Sequence, residues 1–201
     1  MMTPSLLTAN DALPVGTCGN IQIAVAPRDA VTAEVEVAMA GMFTRELGLS
    51  GPAGGLLHLD GAMGNAATRL RSDGIFRAAP GELMALSPTA PPIKASTILL
   101  VGLGDPDVWT PETLEVALNA AAADVQRRGA ASASFAPSLL DSGVHSGDPE
   151  AIAAQMLSGL LRGISVPEDA RPMLWLFCTG AAHLAATHAA FQSAFALQTG
   201  C

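Results

Sequence analysis

The residues whose types and spacing best suit ligand binding lie in Val-Gly-Leu-Gly-Asp-Pro-Asp, at positions 101–107. Backbone amides that follow a buried strand and open toward a helix can hold phosphate, and Gly102, Gly104 and Asp105 stand at such a junction. The run lacks the complete Gly-x-Gly-x-x-Gly spacing, and the same glycines would also serve a tight turn. These three are the candidate ligand-binding residues.

The other reactive side chains give no convergent chemistry. A two-metal hydrolase needs several carboxylates meeting on ions about 4 Å apart, whereas the acidic residues here are dispersed. Asp105, Asp107 and Glu112 form the tightest group, and they read as loop solvation and helix amino-terminal charge. His183 and His188 are five residues apart, which turns them to different faces of a helix rather than toward one metal. His58 has no flanking Ser or Cys motif. His145 lies between Ser142 and Ser146, with Asp141 and Asp148 nearby. Neighbours in one loop do not make an ordered nucleophile, base and orienter, and there is no Gly-x-Ser-x-Gly elbow. No catalytic residue, metal ligand or cofactor is expected.

The totals narrow the class. The 201 residues, 50% of them hydrophobic, suit a single domain spanning 1–201. Only 14% are charged and mean hydropathy is +0.38, yet no apolar run approaches the roughly 20 residues that span a bilayer. The formal charge of −8 and dispersed basic residues argue against nucleic acid, whose backbone selects clustered Lys and Arg. The densest basic group, Arg69, Arg71 and Arg77, reads as one solvated helix and its following loop. The opening MMTPSLLTANDALPVG has neither the basic start nor the apolar segment of a secretory signal, so cytoplasmic residence is expected. Cys18, Cys178 and Cys201 are too few and too scattered for a disulfide framework, and Cys201 offers no prenylation signal.

Patterning along the chain predicts alternating strands and helices. Strands are expected at 20–26, 82–87, 97–103, 131–137 and 173–178, with 97–103 (TILLVGL) buried on both faces. Helices are expected at 31–47, at 60–74 with Asp60 as N-cap, and at 111–128 behind Thr110 and Pro111. Two more are expected, from Asp148–Pro149 to Gly163 and from Ala181 to Leu197. Pro167 and Pro172 mark a loop. The order implies an α/β fold, a mixed central sheet with helices on both faces.

Three segments in this order resemble the N-terminal domain of the leucyl aminopeptidases. They are LDGAMGNAATRLRSDGIFRAAPGE at 59–82, KASTILLVGLGDPDVWTPETLEVALNAAAADVQRRGA at 94–130, and PEAIAAQMLSGLLRGI at 149–164. The likeness extends more weakly over the beginning and over MLWLFCTGAAHLAATHAAFQSAF at 173–195. It implies a macrodomain-like mixed sheet and a peptidase chemistry housed in a separate C-terminal domain. These residues contain no counterpart of that domain's Asn-Thr-Asp-Ala-Glu-Gly-Arg-Leu metal signature, and Lys94 is the sole lysine. The chain is therefore expected to be a non-catalytic relative, acting by self-association or with a protein partner as an interaction, oligomerisation or regulatory module. The resemblance also implies an alternative, a binding module for ADP-ribose or a nucleotide using the turn at Gly102 and Gly104. A third reading is one component of a metal-dependent aminopeptidase whose catalytic domain is on another chain.

Overall fold

A computed structural model of the chain describes residues 11–48, 50–145, 147–165 and 171–198. The expectations for residues 1–10, Ser146, Pro167, Gly200 and Cys201 lie outside the described residues.

The described strands are β1 (Leu13–Cys18), β2 (Ile21–Ala26), β3 (Val37–Met42), β4 (Leu83–Leu86), β5 (Thr97–Gly102), β6 (Ser132–Ala136) and β7 (Met173–Cys178). The helices are α1 (Gly54–Ala62), α2 (Ala66–Ser72), α3 (Glu112–Arg128), α4 (Pro149–Gly163) and α5 (Leu184–Gln198). The strands form one seven-stranded sheet in the order β1-β2-β7-β6-β3-β5-β4. The five inner strands run parallel, and β1 and β4 close the edges antiparallel. This is the α/β architecture expected, with helices on both faces.

Side-chain alternation sorts the core into two layers. Ile21, Ile23, Val25, Trp175, Phe177 and Phe135 point to the face covered by α3, α4 and α5. Ala24, Ala26, Ala38, Ala40, Leu176 and Cys178 point to the opposite face, against α1 and α2. Strands covered on both sides need no polar alternation, which is why β3, β5 and β7 are buried throughout.

Three expectations are corrected. The helix expected at 31–47 is a loop followed by β3, a central strand whose Gly41 lets the Pro137 backbone come close. The strand-like alternation of VTAEVEV at 31–37 falls in the loop that leads into β3, and burial of Val37–Met42 between β5 and β6 overrode helical propensity. Asp60 is not an N-cap, because α1 begins six residues earlier, at Gly54. It is buried inside α1, and its carboxylate accepts the Thr68 amide at 3.1 Å and the Thr68 hydroxyl, stitching α1 to α2. Arg71 is not solvated. It pairs with Glu46 at 2.8 Å and donates to the Phe43 carbonyl at 2.9 Å, with both charged side chains largely buried.

The connections decide where a crevice can open. From β2 and β3 the chain leaves on the α1 and α2 face, whereas β5, β6 and β7 all send their helices to the other face, so β2 parts from its neighbour β7 and β3 from its neighbour β6. Neighbouring strands whose connections diverge leave a gap outside their carboxyl ends, and ligands of open α/β sheets bind there.

Candidate functional site

A cleft of about 620 Å³ occupies that gap. Its walls come from four separate places: the turn after β2 with Arg28, Asp29 and Thr32, the start of α1 at Gly54 and Gly55, the loop from β6 to α4, and the segment after β7. The floor is apolar, with Val144, Ile152, Met156, Phe177 and Phe191. Phe177 and Phe191 stack with centroids 4.2 Å apart beneath the floor, and both are fully buried. Thr179 and Thr187 place hydroxyls 3.3 Å apart above it.

Asp29 organises one rim. Its Oδ1 accepts the Val31 amide at 3.1 Å, the Thr32 amide at 2.8 Å and the Thr32 hydroxyl at 2.7 Å, forming an Asx turn. Its Oδ2 lies 2.7 Å from His58 Nδ1 on α1. An ionised carboxylate only accepts, so Nδ1 carries the proton in that bond. Partial burial alone would raise the Asp29 carboxyl, but the bonds from His58 and Thr32 and the His58 charge together hold it below the usual aspartate range.

Asp141 latches the start of α1 close by, with Gly55 lying against both Asp29 and Asp141. Its carboxylate accepts the Leu56 amide at 3.0 Å and the Gly55 amide, while its own carbonyl accepts the Ala53 amide at 2.9 Å. The first turn of α1 is thus satisfied by a side chain 85 residues away in sequence. A side chain at Gly54 would collide with the Asp141 carboxylate, so glycine is required there by close approach. Burial pushes the Asp141 carboxyl above its ordinary value, against the two amide bonds, and the Asp29 charge pushes the same way.

The sequence candidates are distributed unevenly. Gly102, Gly104 and Asp105 follow β5 and are not among the residues lining the cleft. Gly102, the last residue of β5, packs directly on the Ala78–Ala79 backbone, and Gly104, at φ +80°, lies against Pro80. Asp105 faces Arg45 at 3.9 Å, and Asp107 pairs with the same arginine. His145 and His183 line the cleft. His188 does not, and its Nε2–H donates to the Pro14 carbonyl at 2.8 Å. Asp141 and Ser142 form no triad with His145, since Asp141 is committed to α1 and Ser142 is buried. Asp29 and Asp141 were not singled out as ligand residues; the DAVT run at 29–32, an aspartate followed three residues later by a threonine, was the signal available for the first.

The profile for the N-terminal domain of the cytosol aminopeptidase family matches residues 41–167. The chain belongs to that family. Its fold is also that of the macrodomains. The Oceanobacillus iheyensis macrodomain with MES bound superposes with a TM-score of 0.64 at 16% identity, over 92% of this chain and 96% of that one. A variant of the same macrodomain with ADP-ribose gives 0.65 at 14% identity, over 94% and 100%. The bottromycin maturation enzyme BotP gives 0.53 at 20% identity over 81% of this chain, which corresponds to only 30% of BotP. No curated protein matches the chain. Among the described residues no group of three or more His, Cys, Asp and Glu is placed to hold a metal ion, and no helix is long and apolar enough to cross a membrane.

Proposed function

We propose that this cytosol aminopeptidase N-terminal domain acts as one non-catalytic unit that binds a small molecule in the cleft at the carboxyl ends of β2, β7 and β6. The observation that carries the reading is the coincidence of a cavity of about 620 Å³ with the topological switch of the sheet. That volume lies in the range of small-molecule sites, and an apolar floor with a few polar groups at the rim is their usual construction. ADP-ribose and ADP are the first ligands to try, because Oceanobacillus iheyensis macrodomain structures carry them. A ligand that binds the native state raises its melting temperature. A saturable shift with one member of a panel of nucleosides, nucleotides and ADP-ribose supports the reading, and no shift with any of them removes its ligand class.

A second reading, self-association, is favoured by α5. The helix LAATHAAFQSAFALQ carries no Asp, Glu, Lys or Arg, and Leu197 near its end is 86% exposed. The uncharged outer face of this helix, with Leu197 at its end, is the surface a second copy would cover. Sedimentation of the wild type against Leu197→Glu distinguishes the two: a dimer converted to monomer supports association, and a wild type monomeric at all concentrations removes it.

A further inference from the structure

Two turns on the cleft wall carry backbone amides with no acceptor. Ser138, just past β6, has φ +54°, the left-handed region that is uncommon for a residue with a side chain. Leu139 follows it in the right-handed region, at φ −61° and ψ −54°. Successive residues of opposite hand aim their amides into one concavity, a nest for an anion. The amides concerned are those of Ser138, Leu139 and Leu140, and none of them has an acceptor among the described residues. The turn after β7 stands beside this one. Phe135 of β6 pairs with Phe177 of β7 in the parallel ladder, and the same offset carried past the strand ends brings Ser138 abreast of Gly180. The Thr179 amide goes to the Ala26 carbonyl, whereas the Gly180 and Ala181 amides have no acceptor among the described residues and no side chain caps them. Both turns line the cleft, together with His145, His183 and Arg28, whose ion pair with the exposed Asp11 is long at 3.4 Å. The start of α1 opens on the same cleft but is already filled, since the Asp141 carboxylate takes the Gly55 and Leu56 amides.

We infer that the cleft holds the phosphate group of a phosphorylated small molecule between the turns Ser138–Leu140 and Gly180–Ala181, and not at the start of α1. The inference rests on the cleft being a ligand site. Amides that converge from two sides match a group whose acceptor oxygens are spread in three dimensions, as those of phosphate are. The edge of a neutral ring offers its acceptors in one plane and would leave most of these donors unmet. Bonds from an amide to a charged oxygen are also stronger than those to a neutral one. Arg28 and the ring N–H groups of His145 and His183 are further donors on the same lining. Asp29 and Asp141 line the cleft too, and each already accepts bonds from the chain's own donors.

The test is a proton–nitrogen NMR titration of the full chain with inorganic phosphate, adenosine and ADP at constant ionic strength. Phosphate and ADP are expected to shift the amide signals of Ser138, Leu139, Leu140, Gly180 and Ala181 saturably and to leave those of Gly55 and Leu56 in place. ADP is expected to bind at least about tenfold more tightly than adenosine. Ala181→Pro deletes one of the donors at a position that accepts proline, because Ala181 opens a helical turn and Gly180 before it is extended at φ −67° and ψ 147°. That variant is expected to bind ADP about tenfold more weakly and adenosine as the wild type does. Adenosine and ADP binding equally, with the two turns unmoved by phosphate, overturns the inference while leaving the cleft as a ligand site. So does phosphate that moves Gly55 and Leu56 instead. If none of the three binds, the cleft reading fails and this one with it. The wild-type shifts decide alone if Ala181→Pro does not fold.

Discussion

Replacing Asp29 by alanine removes four hydrogen bonds together, from the Val31 amide, the Thr32 amide, the Thr32 hydroxyl and the His58 ring. A hydrogen bond to a charged group contributes on the order of 1.5–3 kcal/mol, but neighbouring bonds are not additive and water reaches part of this turn, where the Asp29 side chain is 24% exposed. The expected loss is therefore about 2–4 kcal/mol, which for a domain of this size lowers Tm by roughly 5–15 °C. Asp29→Asn keeps a carbonyl oxygen for the Val31 and Thr32 amides and surrenders only the charge and the His58 geometry, so it should cost about 1 kcal/mol. Urea unfolding monitored by circular dichroism reads both, with unchanged m-values if only the turn is weakened. An alanine variant within about 0.5 kcal/mol of wild type, or an asparagine variant as damaged as alanine, would refute the role given to this carboxylate.

Three further outcomes follow from the same geometry. Asp141 is held above the ordinary aspartate value and Asp29 below it. The folded state therefore takes up a proton on Asp141 before the unfolded chain does. Stability gains from Asp141 as pH falls toward the ordinary aspartate value of about 3.9, whereas the contribution of Asp29 is lost only below it. Stability measured against pH should show both arms, and Asp141→Asn should flatten the first; an unchanged first arm contradicts the assignment. Cys178, fully buried, has its thiol pushed up to about 12 by burial, against the pull of the Ser134 hydroxyl. Dithionitrobenzoate should label it only after unfolding, and rapid modification of Cys178 in the native protein, mapped by mass spectrometry, contradicts its burial. Gly159→Ala should destabilise by about 1–3 kcal/mol despite better helix propensity, because a Cβ there would lie 2.5 Å from the Glu115 carbonyl oxygen and 2.7 Å from Leu118 Cβ. Urea unfolding that shows a stabilised variant would mean that α3 and α4 have room to part.

The elements with strong local signals were legible. The β-branched apolar run of β5, the Thr110–Pro111 start and Gly129 stop of α3, and the Asp148–Pro149 start of α4 each combine composition with a boundary residue. The miss at β3 has a physical cause. VAMAGM is made of small and flexible side chains that fit a helix equally well, and only its place between β5 and β6 makes it a strand. The edge strand β1 was not anticipated either, since Pro14 and Gly16 weaken any strand pattern and a register shift falls between them. The site was least legible. Asp29, Asp141, Thr179 and Phe191 come from three distant stretches and form no motif, whereas Gly102 and Gly104, outside the cleft lining, pack on Ala78, Ala79 and Pro80.

The most direct measurement is a ligand titration, followed by thermal shift, of the wild type, of Ala186→Trp and of Gly104→Ala, using whichever of adenosine, ADP and ADP-ribose stabilises the wild type. Ala186 is an exposed small residue on the cleft wall, so a tryptophan there fills the cavity without entering the core, whereas Gly104 lies outside the lining. Each variant is compared with its own unliganded Tm, which removes the strain that Gly104→Ala introduces at φ +80°. Loss of the shift in Ala186→Trp and its retention in Gly104→Ala is the predicted result. Loss in Gly104→Ala with retention in Ala186→Trp would move the site to the turn after β5 and contradict the cleft.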